Sequence, residues 1–206
     1  MSDRPDYELL HAWRKGDREA ANELMGRYYT GIHRFFTSKV PHVADDLTQQ
    51  SLLACVEGHS AIRDGASFRS YLFGIAWRKL QDHLRRNDRL ARMMMARAAQ
   101  GPDSVLTPSG VVAKREEQGL LLRALSTLPA DMHATVMLFY WEGMSTAEVG
   151  SALEVSVTAV TSRLSRARER LREEVEGMEI SARLRASLLS DLDGWARSLV
   201  TGGPPR

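Results

Sequence analysis

Apolar residues recur at spacings of three and four along most of the chain, without the strict alternation of a half-buried strand and without an internal repeat. The first series, Leu9, Leu10, Trp13, Ala20, Leu24, Met25 and Tyr28, is broken by Lys15-Gly16-Asp17, so two helices are predicted with Asp17 as the N-cap of the second. Pro41 ends this material. Asp45 or Asp46 can then start a helix running through Leu47, Leu53 and Val56 to Gly58. A loop over Ala61 to Ser67, with the turn pair Asp64-Gly65, leads to the series Tyr71, Leu72, Ile75, Ala76, Leu80 and Leu84, which predicts a helix from Phe68 to about Met95.

The stretch "AAQGPDSVLTPSGVVAK", Ala98 to Lys114, is rich in Gly, Pro and Ser and weakly periodic, and marks a domain boundary. The chain is therefore expected to be all-α, with a first domain over 1–96, a flexible linker over 97–114, a second domain over 115–175 and a helical extension over 176–206. The second domain is punctuated by Pro129, Gly143 and a turn at Leu153 to Ser156. Ser145 and Glu148 form a capping box, so a helix starts at Thr146, and it presents Val149 and Leu153 inward. Ser156 caps a second helix, whose apolar stripe continues through Val160 and Leu164. Thr158, Ala159, Thr161, Ser162, Arg163, Arg166 and Arg168 are left for its other faces. A short helix, a tight turn and a longer helix with a polar outer face make a helix-turn-helix. In such a unit the start of the second helix enters the major groove, where small or polar side chains such as Val157 to Ser162 allow close approach to base edges.

Composition adds the charge distribution. Of 206 residues 43% are apolar, and the net charge is only +2, so local charge decides the partner. Residues 156 to 172 carry five arginines against Glu169 alone, which suits DNA phosphates. From Arg63 to Arg92 eight Lys or Arg face three Asp and interleave with Phe68, Tyr71, Phe73 and Trp77, a composition that can stack unpaired bases. The single cysteine, Cys55, lies in an apolar run and reads as a buried structural thiol. The six histidines are scattered and none has metal-ligand spacing, and His83 beside Asp82 points about 100° away from it on a helix, so no catalytic residue, metal or cofactor is expected. There is no run of about 18 apolar residues and no secretory start, which predicts a cytoplasmic protein.

Four strings in order, "YELLHAWRKGDREAANELMGRYY", "ADDLTQQSLLACVEG", "FRSYLFGIAWRKLQDHLRR" and "LSTLPADMHATVMLFYWEGMSTAEVGSALEVSVTAVTSRLSRARERL", resemble the extracytoplasmic-function group of sigma-70 factors of bacterial RNA polymerase, which keep only the second and fourth conserved sigma domains. The resemblance spans roughly Tyr7 to Glu174. It implies that the helix carrying Asp45, Asp46, Gln49 and Gln50 docks on the clamp of core polymerase, with the flap region as a further contact. It also implies that the loop and helix carrying Arg63, Ser67, Phe68, Tyr71, Trp77, Arg78, Arg85 and Arg86 open and read the minus-ten element. The helix-turn-helix, through Val157, Thr158, Ala159, Thr161, Ser162, Arg163, Arg166 and Arg168, would read the minus-thirty-five element as duplex. Promoter DNA, core polymerase and an anti-sigma factor are the implied partners.

Some positions depart from the family's usual residues: Arg78 stands for Asn, His133 for Arg, and Glu154 for a turn glycine. A helix-turn-helix regulator that is not a polymerase subunit is the alternative, and the "DDLTQQ" string argues against it. Beyond the resemblance, Ile180, Leu184, Leu188, Leu192, Trp195 and Leu199 fall on one stripe of a helix, which is expected to dock either as a buttress on the second domain or as a mask over a polymerase-binding surface.

Overall fold

In a computed structural model the described residues are 4–62, 67–95, 120, 123–178 and 180. All regular structure among them is helical. Helices α1 (Asp6–Arg14) and α2 (Arg18–Thr37) are joined by the predicted turn, where Gly16 takes φ 97° and Asp17 caps α2 by accepting from the Glu19 and Ala20 amides at 3.0 Å. A 3₁₀ turn over Pro41–Val43 leads into α3 (Ala44–Gly58), and a second over His59–Ala61 precedes the long α4 (Phe68–Met95). After a helical turn at 123–127, α5 (Ala130–Val136) widens into a π-helical turn over Met137–Trp141. Helices α6 (Thr146–Leu153) and α7 (Val157–Gly177) complete the order.

The helix predicted through Leu47, Leu53 and Val56 to Gly58 is present as α3, but only part of its apolar series is buried. Leu53 and Val56 are exposed, whereas Ala44, Leu47, Thr48, Ser51 and Cys55 face the core. Thr48 and Ser51 can be buried because each hydroxyl donates to the carbonyl four residues earlier, at 2.7 Å. Burial pushes the Cys55 thiol up to about 12, consistent with a structural role.

The predicted halves share one apolar core. It runs from Leu9 and Trp13 through Phe35, Phe36, Phe73 and Leu80 of the first half to Leu125, Met137, Val149 and Leu164 of the second. Close approach comes from small residues: a Cβ on Gly74 of α4 would sit 3.2 Å from the Ala152 carbonyl oxygen of α6. Burial of shared apolar surface at about 25 cal/mol per Å² favours this packing. The linker over 97–114 and the stripe from Leu184 to Leu199 lie outside the described residues.

Candidate nucleic-acid interface

The helix-turn-helix is built by local hydrogen bonds. The Ser145 hydroxyl accepts from the Glu148 amide at 3.2 Å, and Glu148 Oε2 accepts from the Ser145 amide at 2.9 Å, closing the capping box that starts α6. Glu154 ends α6 in the left-handed region at φ 56° and ψ 44°, at a cost on the order of 1 kcal/mol for a residue with a Cβ. The turn also requires Gly150, where a Cβ would meet the Val155 carbonyl oxygen at 2.8 Å. Ser156 then caps α7, accepting from the Ala159 amide at 3.2 Å.

Val160, Leu164, Ala167, Leu171 and Val175 form the buried stripe of α7. Thr158, Thr161, Ser162 and Arg166 point to solvent, Val157 is 48% exposed, and Ala159 is half-buried. Two arginines of the candidate set are engaged within the domain. Arg163 pairs with Asp131 at 3.2 Å, and Arg168 donates from Nε to the Tyr140 hydroxyl at 2.8 Å with its guanidinium 5.8 Å above that ring. The surface free to approach a groove is therefore Val157, Thr158, Thr161, Ser162 and Arg166.

On α3, Asp45, Asp46 and Gln49 are exposed and Gln50 half-buried. Asp45 accepts from His33 at 2.9 Å, and Asp46 from Gln50 at 3.1 Å. Leu53, 58% exposed, and Val56 extend this acidic surface with apolar area, an addition that counting apolar residues as core hides.

The α4 candidates divide into buried and exposed sets. Phe68 and Trp77 are buried in the core, with Phe68 edge-on to Trp13 at 6.4 Å between centroids. Tyr71 is half-buried beside Gly58, where any Cβ would lie 2.5 Å from its hydroxyl. Ser67 acts as a cap, its hydroxyl accepting from the Ser70 amide at 3.2 Å. Arg85 and Arg86 are exposed, and Arg63 lies outside the described residues. Arg78 is exposed and pairs with Glu154 at 3.6 Å, a contact from α4 to the turn of the helix-turn-helix.

That contact is one of several across the halves. Arg69 donates to the Glu142 carbonyl at 2.9 Å and to the Glu148 carboxylate at 2.8 Å. Arg34 reaches the Glu142 carboxylate at 3.2 Å, and Lys39 donates to the Ser126 and Leu128 carbonyls at 2.5 and 2.6 Å. Desolvation raises the Glu142 carboxyl above its usual range, with Arg34 pulling it back. Fully buried His133 lies 3.1 Å from the Ser38 hydroxyl, and burial beside Lys39 pulls its imidazole down to about 3. None of these partners is legible as a pair in the sequence, since residues 73 or more positions apart carry no local signature.

Residues 23–90 match the family model Sigma-70 region 2, and residues 118–171 match Sigma-70, region 4. The ECF RNA polymerase sigma factor SigM of Mycobacterium tuberculosis is 32% identical over 171 residues, covering 82% of this chain and 84% of the relative. The chain belongs to the sigma-70 family, among its extracytoplasmic-function members. The ECF RNA polymerase sigma-E factor of Escherichia coli K12 is 23% identical over 180 residues, covering 83% of this sigma factor and 94% of the relative. Solved structures share the fold. CnrH, in complex with the cytosolic domain of CnrY, aligns with TM-score 0.62 at 24% identity, covering 83% of this chain and 97% of that one. The sigma factor RpoE, in complex with the anti-sigma factor NepR from Bartonella quintana, gives TM-score 0.61 at 20% identity, covering 76% and 96%. No described helix of this sigma factor is long and apolar enough to cross a membrane.

Proposed function

We propose that this sigma factor binds core RNA polymerase in the cytoplasm, confers promoter specificity on it and opens promoter DNA, without chemistry of its own. The observation carrying this reading is the order of the two sigma-70 regions, 2 then 4, along one chain, the second containing a helix-turn-helix. The exposed Asp45, Asp46 and Gln49 and the half-buried Gln50, together with Leu53 and Val56, are the docking surface for the polymerase clamp, since mixed acidic and apolar area suits a basic-rimmed protein partner. Val157, Thr158, Ala159, Thr161 and Ser162 approach bases of the minus-thirty-five duplex, while Arg166 meets phosphates, as Arg163 and Arg168 do if released from Asp131 and Tyr140. Arg63, Tyr71, Arg78, Arg85 and Arg86 meet the minus-ten element, with Ser67, Phe68 and Trp77 supporting that surface from its cap and core. An anti-sigma factor is a further partner, on the pattern of the relatives solved with one.

Pull-down of core polymerase tests the docking surface. The wild-type chain should retain core enzyme, and Asp45→Lys with Asp46→Lys should lose it while staying folded at the assay temperature, with only a modest fall in melting temperature from the lost His33 contact and first-turn carboxylates. Undiminished retention by that double variant would refute the assignment.

A further inference from the structure

The histidines are scattered along the sequence, but the fold brings two of them together. His42, in the 3₁₀ turn over Pro41–Val43 that leads into α3, faces His83 of α4 with ring centroids 6.0 Å apart and ring planes inclined at 57°. One helical turn beyond His83, the Asn87 carboxamide lies 2.9 Å from His83 Nε2. His42 and Asn87 are exposed and His83 is half-buried, so a solute reaches all three. None of them belongs to the buried core.

We infer that His42, His83 and Asn87 form a site for a late first-row divalent cation, zinc above all, that ties the 3₁₀ turn ahead of α3 to α4. Two imidazole nitrogens about 2.0–2.1 Å from one zinc ion place their ring centroids about 5–6.5 Å apart, according to the angle at the metal. The His42–His83 separation falls inside that range. Two donor atoms on such an ion lie about 2.9–3.4 Å apart between a right angle and the tetrahedral angle. The Asn87 carboxamide stands at the near end of that range from His83 Nε2. A half-turn of the carboxamide sets its oxygen, rather than its nitrogen, toward the ion. Imidazole with an amide oxygen is a donor set for zinc, nickel or copper, whereas magnesium and calcium take oxygen donors alone. No three His, Cys, Asp or Glu side chains gather to hold a metal among the described residues, so water completes the coordination and the ion exchanges with solvent.

The surroundings keep the ligands in the form that binds metal. Desolvation, and then the nearby His42 and Arg86, disfavour a proton on His83, and the neutral ring is the metal ligand. Arg86 is drawn back onto its own helix, its Nε donating to the Asp82 carbonyl at 3.1 Å. Because Pro41–Val43 runs straight into the helix carrying Asp45 and Asp46, an ion at this site braces the start of α3 against α4. The inference rests on this geometry and not on the proposed role in transcription.

Calorimetric titration of the free full-length protein with zinc chloride, in a buffer that does not bind zinc, tests the site. Wild type should take up one zinc ion saturably and no magnesium. His42→Ala and His83→Ala should each weaken zinc binding by about tenfold or more, a loss that even the outer partners of metal ligands commonly cause. Asn87→Asp, which puts a carboxylate where the amide stands, should tighten it. His11→Ala, a change at an exposed histidine of α1, should leave it as in wild type. In thermal melts zinc should raise the melting temperature of wild type, by mass action on the folded state, and not that of His83→Ala. Melts without zinc score the folding of each variant, and His42, at the surface, carries little folding risk. No saturable uptake by wild type, undiminished uptake in folded His42→Ala or His83→Ala, an equal loss in His11→Ala, or weaker binding in Asn87→Asp would overturn the inference.

Discussion

Arg69 of α4 holds the same carboxylate that closes the Ser145 capping box: its Nη2 lies 2.8 Å from Glu148 Oε1, while Oε2 of that glutamate accepts from the Ser145 amide at 2.9 Å. The start of the helix-turn-helix is thereby tied to the first half of the chain. Local helix capping and one of the long-range contacts share a side chain.

Substitutions at this junction should separate the two roles. Ser145→Ala removes the cap and should lower stability by about 1 kcal/mol, with the halves still docked. Glu148→Ala removes cap and bridge together and should cost more, while Glu148→Gln should fall between wild type and Glu148→Ala. Thermal melts of the three variants check this order.

Two glycines of α2 offer an internal comparison. At Gly26 nothing lies within 4 Å of where a side-chain methyl would stand, so Gly26→Ala should stabilise by about 0.5–1 kcal/mol through helix propensity alone. At Gly31 the same methyl displaces the Glu142 carboxylate from Arg34. Gly31→Ala should gain less than Gly26→Ala, or lose stability, in denaturant titrations.

Much of the fold is legible in the sequence because capping is local. Asp17, Ser145 with Glu148, and Ser156 mark three helix starts, and the structure places α4 over the predicted Phe68 to Met95. Faces are harder to read than boundaries. On α3 the core stripe uses Thr48 and Ser51, whose hydroxyls bond their own helix, so apolar counting sends Leu53 and Val56 inward when they are exposed. Phe68 and Trp77 look like stacking platforms among basic residues, yet both are buried. The docking of the halves is not legible at all, because Arg69 with Glu148 and Ser38 with His133 pair across 79 and 95 residues.

His133 should make stability depend on pH. Its imidazole is neutral in the fold, with its affinity for a proton lowered to a pKa of about 3 from an ordinary 6.5, among Ser38, Phe35 and Lys39 of the α2 end. The unfolded chain binds the proton first, so stability is fully present above 6.5 and falls below it, by about 1.4 kcal/mol per pH unit for one proton. Glu142, raised by burial, acts in the opposite sense as the carboxylate range is approached. The difference between wild type and His133→Gln, measured by denaturant unfolding from about pH 7.5 to 5.5, isolates the histidine. The variant should show the flatter profile.

On α7, Arg166 is exposed whereas Arg163 is held by Asp131. Arg166→Ala should weaken binding of the holoenzyme to minus-thirty-five duplex about equally across sequences and reduce the slope of log affinity against log salt by about 1. Arg163→Ala should change that slope less and lower the melting temperature more, through loss of the Asp131 contact.

The most direct measurement of the central claim is transcription from a cognate promoter, mapped by genome-wide start sites after induced expression, with purified core polymerase in the presence and absence of the protein. Specific initiation, with permanganate-reactive thymines in the minus-ten region, is expected only in the mixture. Tight specific duplex binding by the free protein, with no initiation by core polymerase when the protein is added, would contradict it.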